Sequence, residues 1–351
     1  MNLNLRAKQI LLWVGYPLGY VALFCIFAYV AFPYERLKER IVIGYNAAQA
    51  SSTDPNRMSI GDATWSWRFP GVVLSDIELV GPKPEAGEPG QVPSRRRIHV
   101  QEAYARVSPL AFLFGTTRLA FVADGFGGAL RGEVVHSDSQ QRLRIELEGV
   151  DPGQMPGVSE ALQLPISGSM TGTVLLSIPE GKYSQAEGDI ELVVDDLRIG
   201  DGKTKVRDMF ALPPIQAGTL ELTATATQGR VKLERFETKG PDIEATAEGK
   251  LRLRDEIGKS LVEQLTLTFK FSDAFRDKDD TTRSLLGKPG DSVPGVIDLD
   301  AKVKQAKQPD GSYSWRVMGV FSNLAFAPQR SAPGGAPNRA PPPTMVRPGG
   351  R

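Results

Sequence analysis

The stretch GTLELTATATQGRVKLERFETKGPDIEATAEGKLRLRD, residues 218–255, decides the fold. Leu220, Leu222, Ala224 and Ala226 alternate with polar residues, so in an extended chain they share one face, because successive side chains of a strand point to opposite sides. Gln228-Gly229 is a turn signal. Val231 and Leu233 resume the alternation, Gly240-Pro241 marks a second turn, and Ile243, Ala245, Ala247, Leu251 and Leu253 continue it. Short alternating runs separated by Gly turns read as a meander of antiparallel strands.

A looser copy of the same unit lies upstream. In SGSMTGTVLLSIPEGKYSQAEGDIELVVDDLRIG, residues 167–200, Val174 and Leu176 on one strand and Ile190, Leu192 and Val194 on another flank a turn at Glu180-Gly181. Units repeated in this way build a long curved sheet by neighbour packing. GVVLSDIELV (71–80) reads as a further strand, with Val73, Ser75, Ile77 and Leu79 on one face and Val72, Leu74, Asp76 and Glu78 on the other. SYSWRVMGVFSNLAFAP (312–328) is the last run of the folded part. The expected fold class is therefore mainly β: a single N-terminal transmembrane helix, then a curved antiparallel sheet with a few short helices.

From Ile10 to Phe32 no charged residue occurs for 23 positions. A helix rising about 1.5 Å per residue crosses a hydrocarbon core of about 30 Å in that length. Trp13 and Tyr16 near one end and Tyr29 and Tyr34 near the other suit interfacial belts. The run is too long, and its flank too poor in small residues, for a cleaved signal peptide. Basic residues at Arg6 and Lys8 precede it, and long following domains translocate largely regardless of charge, so the expected orientation keeps residues 1–9 cytoplasmic and the body periplasmic. The lone Cys25 suits an oxidising compartment for the rest of the chain. Residues 33–50 repeat apolar side chains at Leu37, Ile41, Tyr45 and Ala48, an amphipathic helix expected to cap the β-domain at 51–327. Residues 328–351 hold seven prolines, four glycines, four arginines and no acid, a composition that buries no core and is expected to be disordered.

Two internal stretches, 81–97 and 276–295, read as loops. The greasy run Leu110 to Phe114 is too short to span a bilayer; with Ser108 as cap and Pro109 at the first position it reads as a helical turn plugging an end of the sheet.

Composition excludes much. Lys+Arg at 42 against Asp+Glu at 41 leaves no basic field for nucleic acid, and one Cys with two His offers little for thiol, zinc or imidazole chemistry. Gly200-Asp-Gly-Lys-Thr204 lacks the first glycine of a phosphate loop, with Leu197 in its place. Asp195-Asp196 and Asp279-Asp280 have no calcium-loop spacing, and neighbouring strand residues point apart. His99 and His136 stand near no nucleophile, and Arg95-Arg96-Arg97 reads as a solvated loop. No enzyme, no cofactor and no metal is expected.

IGDATWSWRFPGVVLSDIELVGP (60–82) and RIHVQEAYARVSPLAFLFGTTRLAFVADGFGGALRGEV (97–134) resemble the first module of AsmA-like proteins. With a single N-terminal anchor, FPYERLKERI after it and the Gly-punctuated strand blocks, the chain resembles the general secretion pathway protein N (GspN) family of the type II secretion system of Gram-negative bacteria, over roughly residues 10–327. That resemblance implies an inner-membrane, single-pass accessory component with a periplasmic β-domain, acting as a non-catalytic scaffold beside other secretion-system subunits. AsmA-like architecture implies the alternative, a sheet that shelters lipid. The candidate contact residues for partner or lipid are Leu113, Leu220, Leu222, Val231, Leu233 and Ile243. Left uncovered, the run from Leu220 to Ile243 favours lipid; sealed by the helix at 33–50, it favours the scaffold.

Overall fold

The computed structural model describes residues 5–48, 57–66, 71–81, 97–108, 115–137, 139–155, 165–202, 205–206, 210–211, 213–256, 259–289, 294–321 and 323–329. Two helices come first, α1 (Leu5–Val30) and α2 (Tyr34–Ala48). Eight strands follow: β1 (Arg57–Trp65), β2 (Val72–Val80), β3 (Arg97–Val107), β4 (Thr117–Gly125), β5 (Gly128–His136), β6 (Gln140–Val150), β7 (Ile166–Pro179) and β8 (Glu187–Ile199). A small pair, β9 (Lys205–Val206) and β10 (Phe210–Ala211), stands apart as its own two-stranded sheet. The meander resumes with β11 (Ile215–Thr227), β12 (Arg230–Lys239), β13 (Ile243–Arg252) and β14 (Leu261–Phe271). Three short helices, α3 (Asp273–Arg276), α4 (Asp280–Leu286) and α5 (Ala301–Ala306), separate β14 from β15 (Tyr313–Val320) and β16 (Asn323–Pro328).

One antiparallel sheet of fourteen strands results, each strand beside its predecessor except that β11 follows β8 directly. Tight turns set this order. Gln228 and Gly229 both lie at positive φ, 48° and 70°, the two-residue turn whose twist matches that of the flanking strands. An open sheet this wide curls rather than staying flat. At Gly172 an added Cβ would stand 2.1 Å from the Glu191 carbonyl oxygen of the next strand, so only glycine admits the close approach there.

Two expectations are corrected. In β2 the alternation breaks at Asp76, which sits at φ 53°. Leu74 and Ile77, three apart, are therefore both buried with Ile60 and Ala63, where strict period two had put them on opposite faces. The stretch 276–295 is not all loop: α4 lies within it, its N-terminus closed by a reciprocal pair in which the Thr282 N–H donates to Asp279 Oδ1 at 2.7 Å and the Asp279 N–H donates to Thr282 Oγ1 at 3.0 Å. The loop at 82–96, the turn at 110–114 and the tail at 330–351 lie outside the described residues.

Helix α1 exposes apolar side chains on all sides, among them Trp13, Tyr20 and Phe24. Among the described residues no single helix is long and apolar enough to cross a membrane; Trp13–Tyr29 and Tyr34–Ala47, bent by 55°, meet the requirement together by length and composition. The break falls at Pro33, just before α2. Helix α2 packs on β1, with Tyr34, Ile41 and Val42 against Ile60, Leu74 and Val100.

Candidate functional site

The register of the sheet lines apolar residues into rows that cross it from edge to edge. Directly opposed residues of neighbouring strands share a face, so a row is read by stepping from partner to partner. One such row runs Trp65, Val72, Ala105, Phe121, Gly132, Ile145, Val174, Ile190, Ala224, Leu233, Gly249, Leu265, Val317, Phe326. It crosses all fourteen strands without one polar side chain. A parallel row, from Leu119 through Val134, Leu143, Leu176, Ala226, Val231 and Leu251 to Leu324, is equally apolar. Strands about 4.8 Å apart make the full row about 60 Å long, roughly twice the hydrocarbon thickness of a bilayer.

The opposite face is mostly polar, with Leu175 and Val193 exposed among its charges, and is tied by cross-strand ion pairs. Arg118–Glu133 at 2.8 Å, Arg131–Glu148 at 2.6 Å, Arg235–Glu221 at 2.7 Å and Arg252–Glu263 at 2.9 Å all lie there. Exposed pairs of this kind each contribute little to stability. They mark this as the charged side of the sheet. A shallow depression of about 370 Å³ opens on this side, where Val135 and Leu175 lie among Arg118, Glu133, Arg142, Arg144 and Glu187.

One margin of the apolar face is covered. Phe275, Leu285 and Leu286 from α3 and α4 pack with Leu147, Met170, Val194, Ile215 and Ile243 in the largest core cluster. Phe271 stacks on Phe275 with ring centres 5.8 Å apart, and Phe269 stacks on Tyr313 at 5.5 Å. The cover is fastened at both ends. The Ser272 hydroxyl donates to the Pro241 carbonyl at 2.7 Å and accepts from the Phe275 N–H at 3.1 Å. At the far end the buried Asp298 pairs with Lys307 and accepts a hydrogen bond from the Tyr313 hydroxyl at 2.8 Å.

Burial, reinforced by that bond to Asp298, holds the Tyr313 hydroxyl well above the ordinary phenol value near 10. An acid whose folded value is raised favours the fold in its protonated form, so its contribution is whole below about pH 10 and is lost as pH climbs toward the folded value. Tyr313→Phe is therefore expected to lower stability by about 1 kcal/mol at neutral pH and to reduce the alkaline loss. Melting temperatures of both proteins between about pH 8 and about pH 11 check it. Parallel curves would refute it.

The six candidate contact residues divide. Ile243 is buried and Leu220 half-buried in the covered margin; Val231 is buried with Ala224 and Ala226, and Leu222 and Leu233 are half-buried against them. Leu113 lies outside the described residues. Helix α2 does not lie on this run: it sits at the β1 end. What covers Ile243 is α3 and α4, whose Phe275, Leu285 and Leu286 sequence reading missed. Their only signal was the pair of leucines three residues beyond a Asp279-to-Thr282 capping pattern.

The polar motifs have structural partners. Asp195 Oδ1 accepts from the Thr219 hydroxyl at 3.0 Å, Asp196 holds a positive φ of 50° in β8, Asp279 caps α4 and Asp280 pairs with Arg283 at 2.6 Å. His99 stands 3.6 Å from Asp76, and Arg97 pairs with Glu78 at 3.5 Å. Lys203 and Thr204 lie outside the described residues. Among the described residues no cluster of three His, Cys, Asp or Glu side chains could hold a metal ion. Comparison with protein-family models, curated proteins and solved structures finds no match.

Proposed function

We propose that the protein is a membrane-anchored, non-catalytic acyl-chain-binding protein of the cell envelope. The observation that carries this reading is the unbroken apolar row from Trp65 to Phe326, half-buried along most of its length. Exposed apolar surface of that extent marks a site for an apolar partner, because leaving it in water costs roughly 25 cal/mol for every Å². Hydrocarbon chains fit a row that offers width and length but no polar group to bind a headgroup along its course.

In this reading the apolar span within residues 10–32 lies in the inner membrane, residues 1–9 face the cytoplasm and the sheet stands in the periplasm. Ile243 is covered by Phe275, Leu285 and Leu286 rather than by α2, and Ala224, Ala226 and Val231 are buried; Ile190, Leu222 and Leu233, half-buried beside them, are where a ligand would meet the middle rows. The AsmA-like resemblance points the same way. The GspN resemblance supports a second reading, a scaffold in the type II secretion system, and the strand edge at β16 is the feature that favours it.

Photo-crosslinking probes at Leu222, Leu233 and Ile190, with Lys232 on the opposite face as control, followed by mass spectrometry of attached lipids and proteins, test the choice. Acyl-lipid adducts at the first three positions and not at Lys232 are expected. Adducts solely to other secretion-system subunits would overturn the lipid reading in favour of the scaffold.

A further inference from the structure

The two edges of the fourteen-stranded sheet are finished in opposite ways. The β1 edge is sealed by side chains from the helices. Asn46 uses its amide as a strand would, accepting from the Met58 N–H at 2.9 Å and donating to the Met58 carbonyl at 3.3 Å. Lys38 donates to the Gly61 carbonyl at 3.1 Å. Tyr29 donates to the Gly71 carbonyl at 2.7 Å and accepts from the Gly71 N–H at 2.9 Å, closing the β1–β2 turn. Edge strands left unfinished pair with other chains, and this one has been finished.

Among the described residues nothing comparable finishes β16. No strand lies beyond it, and its six residues, Asn323 to Pro328, carry no charge to repel a neighbour. Phe326, the last residue of the long apolar row, is 42% exposed. Helix α5 packs against β16, but the polar contact at that end, from Gln308 Nε2 to the Gln329 carbonyl at 2.8 Å, falls past the end of the strand. From Pro328 to Arg351 no run of more than four residues is free of proline, and proline has no N–H for a ladder, so this stretch of sequence is poorly suited to pair with β16.

We propose that the occupant of this edge is β16 of a second copy, in a two-fold homodimer. Antiparallel self-pairing about Ala325 sets Ala325 against its own counterpart and Leu324 against Phe326 of the other copy. Leu324 and Phe326 both lie on the apolar face, opposite Gly319 and Val317 of β15, so this register continues the apolar rows across the join. Phe326 gains cover, no charges meet, and the contact is self-complementary, as a two-fold interface requires. The proposal stands without the lipid reading.

The test uses the full chain in detergent, in a Cys25→Ser background so that no other thiol is present. Ala325→Cys is expected to form a disulfide-linked dimer on mild oxidation, because directly opposed Cα atoms lie about 4.5–5.5 Å apart, within disulfide reach. Ala327→Cys is expected to stay monomeric on the same gel. In this register the two copies of residue 327 are offset by four strand positions, about 13 Å. Light scattering of the chain without cysteine is expected to report a dimer. A monomer by light scattering, equal cross-linking at both positions, or recovery of the chain as a monomer with another protein's strand at this edge would each overturn the proposal.

Discussion

Phe275→Ala is expected to lower the stability of the β-domain by about 3–5 kcal/mol, the cost of emptying a fully buried phenylalanine site. Phe275 is 1% exposed and stacks on Phe271, and around it Leu285, Leu286, Ile215 and Ile243 bring three separated parts of the chain together. Collapse of the cavity is hindered because the neighbours sit on a hydrogen-bonded sheet on one side. On the other, α3 is held by the Ser272 cap and α4 by the Asp279–Thr282 box. The loss corresponds to a fall in melting temperature on the order of 10 °C. Phe275→Leu, which keeps most of the volume, is expected to recover more than half of it. A melting temperature unchanged in the alanine variant would show that α3 and α4 are not part of the cooperative fold.

The second large effect is on ligand. Leu222→Glu combined with Leu233→Glu places two carboxylates among acyl chains, and each unpaired charge transferred to apolar surroundings costs several kcal/mol. Since about 1.4 kcal/mol is a factor of ten in binding, lipid recovered with the protein is expected to fall by at least about 100-fold. The fold should survive, because both positions are half-buried rather than enclosed and the backbone ladders of β11 and β12 do not depend on them. Lys232→Glu, on the polar face between the same strands, is the matched control and is expected to change nothing. Quantitative lipid mass spectrometry of the purified proteins reads the outcome. Equal lipid in the double variant and the parent would reject the apolar face as a lipid site.

The hairpin at Gln228-Gly229 and the shared face of Ala226 and Val231 were legible because turn chemistry and period two act within a few residues. Further along β12 the same rule misleads. It carries Val231 and Leu233 on to Arg235 and Glu237, whereas an extra residue between the partners of Thr223 and Ala224 shifts the strand, so that Phe236 and Thr238 oppose Leu222 and Leu220. Asp76 in β2 misleads in another way: its positive φ changes which side chains face the core while the register to β1 and β3 runs on unshifted. Bulges are placed by the neighbouring strand, and no single strand's pattern announces them.

For the candidate site, Leu222, Val231 and Leu233 could be assigned to one apolar face from their spacing alone, and Ile243 likewise. That α3 and α4, and not α2, cover Ile243 could not, since seven residues of helix carry too short a period to declare a buried face. By itself the sequence determined the alternation, the turns and the long uncharged run from Ile10 to Phe32, all properties of near neighbours. Only the tertiary structure decided that the alternating runs pair into one sheet whose register shifts at several bulges, which margin of the apolar face is covered, and that among the described residues one sheet edge is closed while the other ends at β16. Those depend on contacts between residues far apart in the chain, where the free energy of packing and strand pairing, rather than local conformational preference, selects the partner.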